Sequence, residues 1–517
     1  MAHRTLFYRL TSALLASALA LTLTGCGGGS SSASGSDAGV PAAQVASEAA
    51  GEFILPYSSA DGFNPYLSQS NVTLQNSRLL FTSLVDLDND FNLIYRDAAA
   101  VSVSGTAVTI TVTGSFADGS AVTGADVAAC LNAAKSSAVF GSRFANVQSV
   151  RAAGDTVTVT LSAPDSLFAY LLDIPVLKAA EVASQTPSSS GRYSVSSDEK
   201  GPCLVANDSF QDKTILPKIR LTELTGYDAM VSSLNIGAIS LFSSEQESDL
   251  AGSIVCNTAY FNLNNLVFLG IEALPANSVL AQPALRQALS KAVSRRAIAD
   301  KAYYSRAYVA TGVVNPRFPG ESAAATLAEE SDTDGAKALI ESLGYKMDEA
   351  SGYYQDAAGK RLSFSLLCYS GSSFKRYAAQ LVADELKKAG IEITLDEDGD
   401  FSSYRSKIAS GAAPLYIGEV KLYNNMDLGV FFADGGDAHT GITVSEPLLT
   451  AYNAFKADQN GLAAFETAFA AEMPFVPLVY KNGVATYSKS FAGLSPTVSD
   501  IFYQFENLTA DFGTKKE

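Results

Sequence analysis

The sequence predicts a mixed α/β protein with more than one domain, and three observations support this. Ala107–Phe116 and Asp155–Pro164 alternate with period two and are rich in Val and Thr, which is typical of half-buried strands. Ser373–Asp398 has the pattern of a long helix that Gly390 closes and a strand follows, a joint common in α/β folds. Because 517 residues exceed what one core usually holds, we expect two or three domains.

A helix is predicted between the two alternating strands. Thr123 is placed to cap it, and Asp126, three residues later, can return a bond to the capping residue. Asp118 and Gly119 precede it and favour a turn. We therefore assign Asp118 and Asp126 to a turn and a cap rather than to a functional carboxylate pair.

A second amphipathic helix is predicted over Pro283–Tyr304. Its apolar side chains, from Leu285 to Val293, recur at helical spacing and form one stripe. Four of its basic residues fall outside that stripe, so we expect them to be exposed to water: Arg286, Lys291, Arg295 and Arg296. Near the end of the chain, Phe475–Ser488 has strand character, and its Asn482-Gly483 pair predicts a hairpin turn.

The first residues have the pattern of a targeting segment. Arg4 and Arg9 precede an apolar run, Leu10–Thr22, that is too short to span a bilayer of about 30 Å. The sequence LTGC, which ends at Cys26, resembles the lipobox of bacterial lipoproteins. That resemblance implies removal of residues 1–25 and acylation of Cys26, and residues 26–51, rich in Gly and Ser, would form a flexible tether.

Composition excludes some partners. The formal net charge is −17, and an acidic surface does not suit the phosphate backbone of a nucleic acid. Hydrophobic residues make up 47% of the chain, which is enough to bury large cores. We therefore expect a protein outside the cytoplasm that binds no nucleic acid.

The cysteine and histidine content gives little sign of metal or catalytic chemistry. Beyond Cys26, four cysteines allow three disulfide pairings, or they are free buried thiols: Cys130, Cys203, Cys256 and Cys368. His439 is the one histidine after the signal segment, and no hydrolase motif such as G-x-S-x-G or H-E-x-x-H occurs. The loop Phe431–Thr443, with Asp434 and Asp437, is only a weak metal signal. We predict no catalytic residue, no metal and no cofactor.

Six blocks, in one order along the chain, resemble the family-5 extracytoplasmic solute-binding proteins, which are oligopeptide, dipeptide and nickel-chelate receptors of ABC importers. The most specific block is FADGSAVTGADVAACL. The other blocks are FNPYL, LLFTSLVDLD, AYFNLNN followed by PALRQALSKAVSRRAI, DGAKALIESLGY and AAQLVADELKKAGIEITL. The resemblance covers Glu52–Tyr487 approximately.

This resemblance implies a two-lobed fold of the periplasmic-binding-protein type (class II, cluster C), with a ligand cleft between the lobes. The first lobe would be discontinuous and would carry an extra subdomain over residues 69–189. The second lobe would cover residues 263–479. The first lobe would comprise residues 52–68, 190–262 and 480–517.

The resemblance also indicates candidate ligand contacts in the stretch Tyr416–Phe432. Peptide-binding relatives hold the ligand's amino group with an Asp of this loop, but Leu422 stands at that position and Tyr423 matches the family's Tyr. Glu419 or Asp427 is predicted to replace the missing carboxylate; alternatively, Lys421 neutralises Glu419 or these are solvated loop charges.

Three further contacts are predicted on weaker grounds. Arg376 stands near the start of a helix, where some dipeptide receptors clamp the ligand carboxylate with an Arg. Asn64 and Tyr66 belong to a block that often borders the cleft, although aromatic residues are more often part of a core.

The predicted function is capture of a small solute, most often a peptide, and its delivery to the permease and ATPase subunits of an ABC importer. The protein would be a monomer held at the bacterial membrane, outside the cytoplasm, by its lipid. A sensor lipoprotein of the same fold and a receptor for a metal chelate are the alternatives.

Overall fold

The computed structural model describes residues 52–208, 216–245, 256–273, 278–433 and 435–510. The predicted signal segment, the lipidation site Cys26 and the tether lie outside the described residues. None of the helices in the described ranges is both long and apolar enough to cross a membrane.

The described chain has the mixed α/β order that the sequence predicts, with helices and strands interspersed. The helices are α1 (Asn71–Leu80), α2 (Gly124–Ser136), α3 (Tyr227–Asn235), α4 (Pro283–Ala292), α5 (Arg295–Ala297), α6 (Glu321–Ala324), α7 (Thr333–Ser342), α8 (Ser373–Lys388), α9 (Phe401–Ala409), α10 (Gly429–Phe432), α11 (Glu446–Ala457) and α12 (Leu462–Glu472). The strands are β1 (Phe53–Tyr57), β2 (Val85–Leu87), β3 (Leu93–Tyr95), β4 (Ala98–Ser104), β5 (Ala107–Val112), β6 (Val147–Ala153), β7 (Thr156–Leu161), β8 (Tyr193–Asp198), β9 (Gly201–Ala206), β10 (Lys218–Glu223), β11 (Leu241–Ser244), β12 (Cys256–Ile271), β13 (Ala307–Val309), β14 (Lys346–Asp348), β15 (Tyr353–Gln355), β16 (Ser363–Tyr369), β17 (Glu392–Asp398), β18 (Leu415–Lys421), β19 (Val476–Ser488), β20 (Phe491–Ala492) and β21 (Thr509–Ala510).

The two alternating strands of the sequence, β5 and β7, are neighbours in a four-stranded antiparallel sheet of order β4-β5-β7-β6. Their inward side chains, such as Val108 and Val157, are fully buried, as period two predicts. Helix α2 packs on this sheet, and its capping box is formed as predicted. The Thr123 side chain accepts a bond from the Asp126 N–H, and the Asp126 carboxylate accepts one from the Thr123 N–H.

Two large apolar cores organise the described residues. The first core takes side chains from Phe53 to Leu263 and again from Ala485 to Leu508. The second core takes side chains mainly from Leu266 to Tyr480. A sheet of order β11-β19-β12-β18-β16-β17 links them, because its long strands β12 and β19 contribute to both cores.

The register between β12 and β19 shifts where the chain leaves one core for the other. Asn262 pairs with Asn482, but the next paired residue of β12 is Leu266, opposite Tyr480. We call residues 262–265 the crossing segment. The pairing of the two strands is interrupted at this segment, so a hinge between the two cores would bend here. The predicted lobe boundaries themselves stay a prediction.

The predicted hairpin at Asn482-Gly483 is wrong, because β19 runs straight through it. Asn482 pairs with Asn262 and Gly483 pairs with Phe261, so tertiary pairing overrides the local turn signal. Gly483 serves a different purpose there: a Cβ on it would lie 2.4 Å from Cζ of the Phe261 ring. The glycine lets that ring pack against the backbone of the neighbouring strand.

The helix predicted over Pro283–Tyr304 is shorter than expected, and two of its basic residues are not exposed. Helix α4 ends at Ala292, and Ser294 caps the next turn. Arg286 and Arg295 are only 2% and 1% exposed. Each guanidinium donates several hydrogen bonds to backbone carbonyls, for example Arg286 to Glu472 O at 2.7 Å and Arg295 to Pro477 O at 2.8 Å, and these bonds replace water. The joint after α8 is confirmed: Gly390 has a φ of 83° and β17 follows.

Candidate ligand-binding site

A cavity of about 490 Å³ touches both cores beside the crossing segment. Seven parts of the chain form its wall: helix α1, the turn around Arg143, the segment around Asp173, the end of β11, the middle of β12, the end of β18 with the loop after it, and a stretch near the C-terminus. The lining residues are Asn71, Leu74, Gln75, Ser77, Arg78, Val139, Phe140, Arg143, Asp173, Pro175, Ser243, Ser244, Glu245, Phe261, Leu263, Asn264, Lys421, Leu422, Tyr423, Asn424 and Thr497–Ile501. A volume of this size is typical of small-molecule sites.

Two arginines and one aspartate form the most strongly charged part of this wall. Arg78 Nη2 lies 3.5 Å from Asp173 Oδ2 and donates to the Asp173 carbonyl at 2.8 Å. Arg143 pairs with the same carboxylate and donates from Nε to Leu171 O at 3.1 Å. Burial lowers the pKa of Arg143, while Asp173 opposes that change. Two guanidinium groups share the one carboxylate that pairs with them, and Asp500 of the same wall acts on Arg78 only from beyond ion-pair distance.

Part of the donor capacity of these arginines is unused. Within the described residues, Arg78 Nε and Nη1 and Arg143 Nη1 donate no hydrogen bond. A guanidinium has five N–H donors in a planar fork that matches a carboxylate or phosphate. Because both arginines line the cavity, the unused donors are available to an anionic group inside it.

A chain of amide side chains connects this cluster to the crossing segment. Asn424 Nδ2 donates to Asp173 Oδ2 at 3.2 Å, and Asn264 Nδ2 donates to Asn424 Oδ1 at 2.8 Å. Asn264 belongs to the crossing segment and also accepts from Asn315 Nδ2 at 3.0 Å. Asp173 therefore links the arginines of the first core to the point where β12 passes into the second core.

Lys421 and Tyr423, two of the predicted site residues, line the cavity. Lys421 is exposed and forms an ion pair with Glu245, not with Glu419 as one alternative proposed. Tyr423 is half-buried against the first core, and burial raises the pKa of its hydroxyl. They bring one cation and one aromatic face to the wall.

Glu419 does not line the cavity; it lies on β18 between two lysines. Its carboxylate is 2.8 Å from Lys375 Nζ and 3.0 Å from Lys481 Nζ. Burial alone would raise its pKa, but the two ammonium groups hold that pKa well below its usual value. Asn265 Nδ2 donates both to Glu419, at 2.8 Å, and to the cavity residue Glu245, at 3.2 Å. Glu419 therefore reaches the cavity only through Asn265.

Asn64 and Tyr66 hold backbone segments together and are not part of the cavity wall. Asn64 is fully buried and donates to Val182 O at 3.0 Å and to Ser184 O at 2.7 Å. The Tyr66 hydroxyl donates to the Pro175 carbonyl, and its ring packs in the first core. Burial raises the Tyr66 pKa well above its usual value.

Asp427 and Arg376 also lie away from the cavity wall. Asp427 accepts hydrogen bonds from the Tyr452 hydroxyl and from the Gly429 N–H, both at 2.8 Å. Arg376 is exposed on the first turns of α8. A ligand contact at Asn64, Tyr66, Arg376, Glu419 or Asp427 stays a prediction.

The cluster around Asp173 and the carboxylate of Asp500 were missed by sequence reasoning. Arg78 lies in the last turn of α1, Arg143 lies in a short 3₁₀ turn, and Asp173 follows another such turn, so these residues are far apart in the sequence. Asp500 lies beyond the blocks that carry the family resemblance. The one available signal was the presence of charged residues inside otherwise apolar stretches.

The four cysteines that the structure describes form no disulfide bond with one another: Cys130, Cys203 and Cys368 are buried and Cys256 is half-buried. Burial raises the pKa of Cys130 to about 12, which makes this thiol unreactive at neutral pH. His439 contacts the Phe431 carbonyl through Nδ1 at 2.7 Å, and Asp434 lies outside the described residues. Among the residues that the structure describes, no group of three or more His, Cys, Asp or Glu side chains could hold a metal ion.

Two cores joined by two shared strands, with a polar cavity beside the crossing, define a two-lobed ligand-binding protein. The model of the bacterial extracellular solute-binding proteins, family 5 (middle part), matches residues 101–433, more than half of the chain. The chain belongs to this family. The predicted family and the predicted two-lobed α/β fold are therefore confirmed. No curated protein matches the chain in sequence.

Solved structures share the fold over most of the chain. NikZ from Campylobacter jejuni, in complex with Ni(L-His), has a TM-score of 0.62 at 19% identity, with 89% of this chain and 99% of that one covered. The oligopeptide-binding protein AppA from Bacillus subtilis, in complex with a nonapeptide, has a TM-score of 0.57 at 19% identity and the same coverage. The ABC transporter substrate-binding protein CtaP from Listeria monocytogenes reaches 0.67 at 19% identity, again covering 89% and 99%.

Proposed function

We propose that this protein is the solute receptor of an ABC importer and that it closes its two lobes around a small ligand that carries a carboxylate. The ligand class that fits best is a short peptide, and the receptor would be held outside the cytoplasm by a lipid on Cys26. The observation that carries the proposal is the cavity wall in which Arg78 and Arg143 share one carboxylate.

The arginine pair has the chemistry to recognise an anion. One carboxylate, Asp173, pairs with both guanidinium groups, and three of their nitrogen atoms keep N–H groups that bond to no described residue. A ligand carboxylate would complete this cluster with charge-assisted hydrogen bonds, which are about twice as strong as neutral ones. The remaining wall supplies amide, hydroxyl and aromatic groups that would fix its orientation.

The amide chain offers a route from ligand to lobe closure. Asp173 is held by Arg143 on one side and by Asn424 on the other, and Asn424 holds Asn264 of the crossing segment. A ligand shifts an open–closed equilibrium only by its different affinity for the two states. Groups from both sides of the crossing line this cavity, so a ligand inside it would bind the closed form more tightly.

The test is native mass spectrometry of the full chain purified from a bacterium under mild conditions, together with thermal melting before and after removal of any retained ligand. We expect a retained small molecule that contains a carboxylate and raises the melting temperature when it is added back. A peptide, a metal chelate and another nutrient are distinguished by mass. If no molecule is retained, and no member of a broad peptide and nutrient library shifts the melting temperature, the receptor function is wrong.

The arginine pair itself is tested by Arg78→Lys, with Arg361→Lys as the matched control. Arg361 is also ion-paired, to Glu392 at 3.1 Å, but does not line the cavity. Hydrogen bonds to charged groups contribute about 1.5–3 kcal/mol, so Arg78→Lys should weaken binding of the retained ligand about 10- to 100-fold. Equal affinity in both variants would remove Arg78 from the site.

Delivery to a permease is separable from binding. A strain that lacks this receptor should lose uptake of the retained ligand if the protein serves import. Unchanged uptake, with a lost response to the ligand, would favour the sensor alternative instead.

A further inference from the structure

Asp500 places a second type of charge in the wall of the same cavity. It lies in the C-terminal stretch Thr497–Ile501, far along the chain from the arginines, and it is 7% exposed. Its Oδ1 accepts a hydrogen bond from the Phe502 N–H at 2.8 Å. Its Oδ2 accepts none from the described residues. The structure therefore shows a carboxylate that is more than nine-tenths buried, lines the cavity and has one oxygen free.

Other buried aspartates of the described chain have a partner for the carboxylate oxygen that Asp500 leaves free. Asp165 is met by Lys456 Nζ at 2.9 Å, and Asp86 by Arg96 Nε at 2.8 Å. Asp500 has no ion pair with any described residue. Asp97 is the closest parallel, since it is buried without a cationic partner, but its Oδ2 accepts from the Thr82 hydroxyl and it does not line the cavity.

A buried carboxylate without an ion pair is costly unless a partner arrives, and Arg192 and Arg78 attract the Asp500 charge only from beyond ion-pair distance. Burying a charge lowers stability unless it is paired, and a ligand cation would supply that pair at the cavity wall. The two other acidic side chains of the wall are already engaged: Glu245 by Lys421 and Asn265, and Asp173 by Arg78 and Arg143. Asp500 is therefore the acidic group of the wall that is best placed to bind a ligand cation.

We propose that Asp500 is a specificity-determining residue that accepts a hydrogen bond from a protonated amine of the ligand, while Arg78 and Arg143 bind the ligand's carboxylate. This inference rests on the proposed function and narrows its ligand to a zwitterion. Selectivity follows because a ligand without the amine leaves Asp500 unpaired inside the closed cavity.

The test compares two probe pools on the full chain: dipeptides and tripeptides with free amino termini, and the same peptides N-acetylated. Affinities are measured by titration calorimetry for the wild type, for Asp500→Asn and for the matched control Asp97→Asn. We expect the wild type and Asp97→Asn to prefer the free amine by at least tenfold. We expect Asp500→Asn to lose most of that preference by binding the free-amine pool more weakly.

Each outcome decides the proposal. A wild type that binds acetylated and free peptides equally overturns it, and this comparison needs no variant to fold. Retained preference in Asp500→Asn also overturns it. So does a retained cellular ligand that has no protonated amine, for example a nickel–histidine chelate whose amino nitrogen binds the metal, if the wild type and Asp500→Asn bind it equally. In these cases the receptor function stands, because a ligand is still bound. If the wild type retains no cellular ligand and binds no library member, the proposed function itself fails, and this inference fails with it.

Discussion

Arginines in two regions of this molecule have opposite surroundings. In the second core, Arg295 donates to the carbonyls of Pro477, Ser290 and Ala328 and to the Ser290 hydroxyl, and no acidic group contributes to its pKa, which burial lowers to about 10. At the cavity, Arg78 and Arg143 meet a carboxylate and keep unused donors. A guanidinium that donates its hydrogen bonds to backbone carbonyls stabilises the fold. A guanidinium in a cavity wall that keeps unused N–H donors is available to a ligand.

The largest expected effect separates these two roles directly. Arg295→Leu would leave several buried carbonyls without donors, so it should destabilise the protein by about 3–5 kcal/mol. The folded fraction should still bind the retained ligand normally. Arg78→Leu should do the reverse, with a small loss of stability and a large loss of affinity. Chemical denaturation measures the stability of both variants, and calorimetry measures their affinity for the ligand. Equal losses of stability and affinity in the two variants would contradict the distinction between the two kinds of arginine.

Buried carboxyl groups also differ in their surroundings, and the pH dependence of the free energy of unfolding reports on them. Burial raises the pKa of Glu466 to about 8, of Asp97 to about 7 and of Asp500 to about 6. A raised folded-state pKa means that the folded protein holds protons that the unfolded chain has already lost, so the contribution of these three groups to stability is fullest below about pH 4. That contribution is lost as the pH rises from there through 6, 7 and 8.

Glu466→Gln isolates the largest of these contributions. Glu466 accepts N–H bonds from Val313 at 2.9 Å and Val314 at 3.2 Å, and a glutamine oxygen can still accept them. The melting temperature of this variant should therefore depend less on pH between 6 and 8 than that of the wild type. A wild type that becomes more stable over this range would contradict the assignment.

A smaller effect is expected where the two strands cross between the regions. Gly483→Ala would place its Cβ 2.4 Å from the Phe261 ring, which packs in the first core. Overpacking of this kind costs about 1–3 kcal/mol. The variant should lose that much stability in denaturant unfolding, and ligand affinity should fall if the ring shift reaches the crossing segment. Unchanged stability would mean that the strands adjust freely.

The smallest effect belongs to a site remote from both arginine groups. Thr123→Ala removes the hydroxyl of the capping box on α2 and should cost about 1 kcal/mol. Ligand affinity should not change. A large loss of binding here would show that the extra sheet and its helix take part in recognition.

The sequence predicted what depends on neighbouring residues and missed what depends on distant ones. The strands around Val108 and Val157 and the cap at Thr123 follow from periodicity and local bonding. The predicted turn at Asn482-Gly483 is wrong because β19 pairs with β12 through these two residues. The predicted exposure of Arg286 and Arg295 is wrong because carbonyl groups far along the chain accept their hydrogen bonds in place of water. Nothing local could have brought Arg78, Arg143, Asp173 and Asp500 to one cavity.

Hydrogen–deuterium exchange of the full chain, with and without the ligand pool released from the wild-type protein, tests the central claim most directly. We expect ligand to slow exchange in α1, in the loop after β18 and in Thr497–Ile501, which line the cavity. The exchange rate around Arg295 should not change. Protection confined to another part of the molecule, or none at all, would contradict a solute receptor that closes on this cavity.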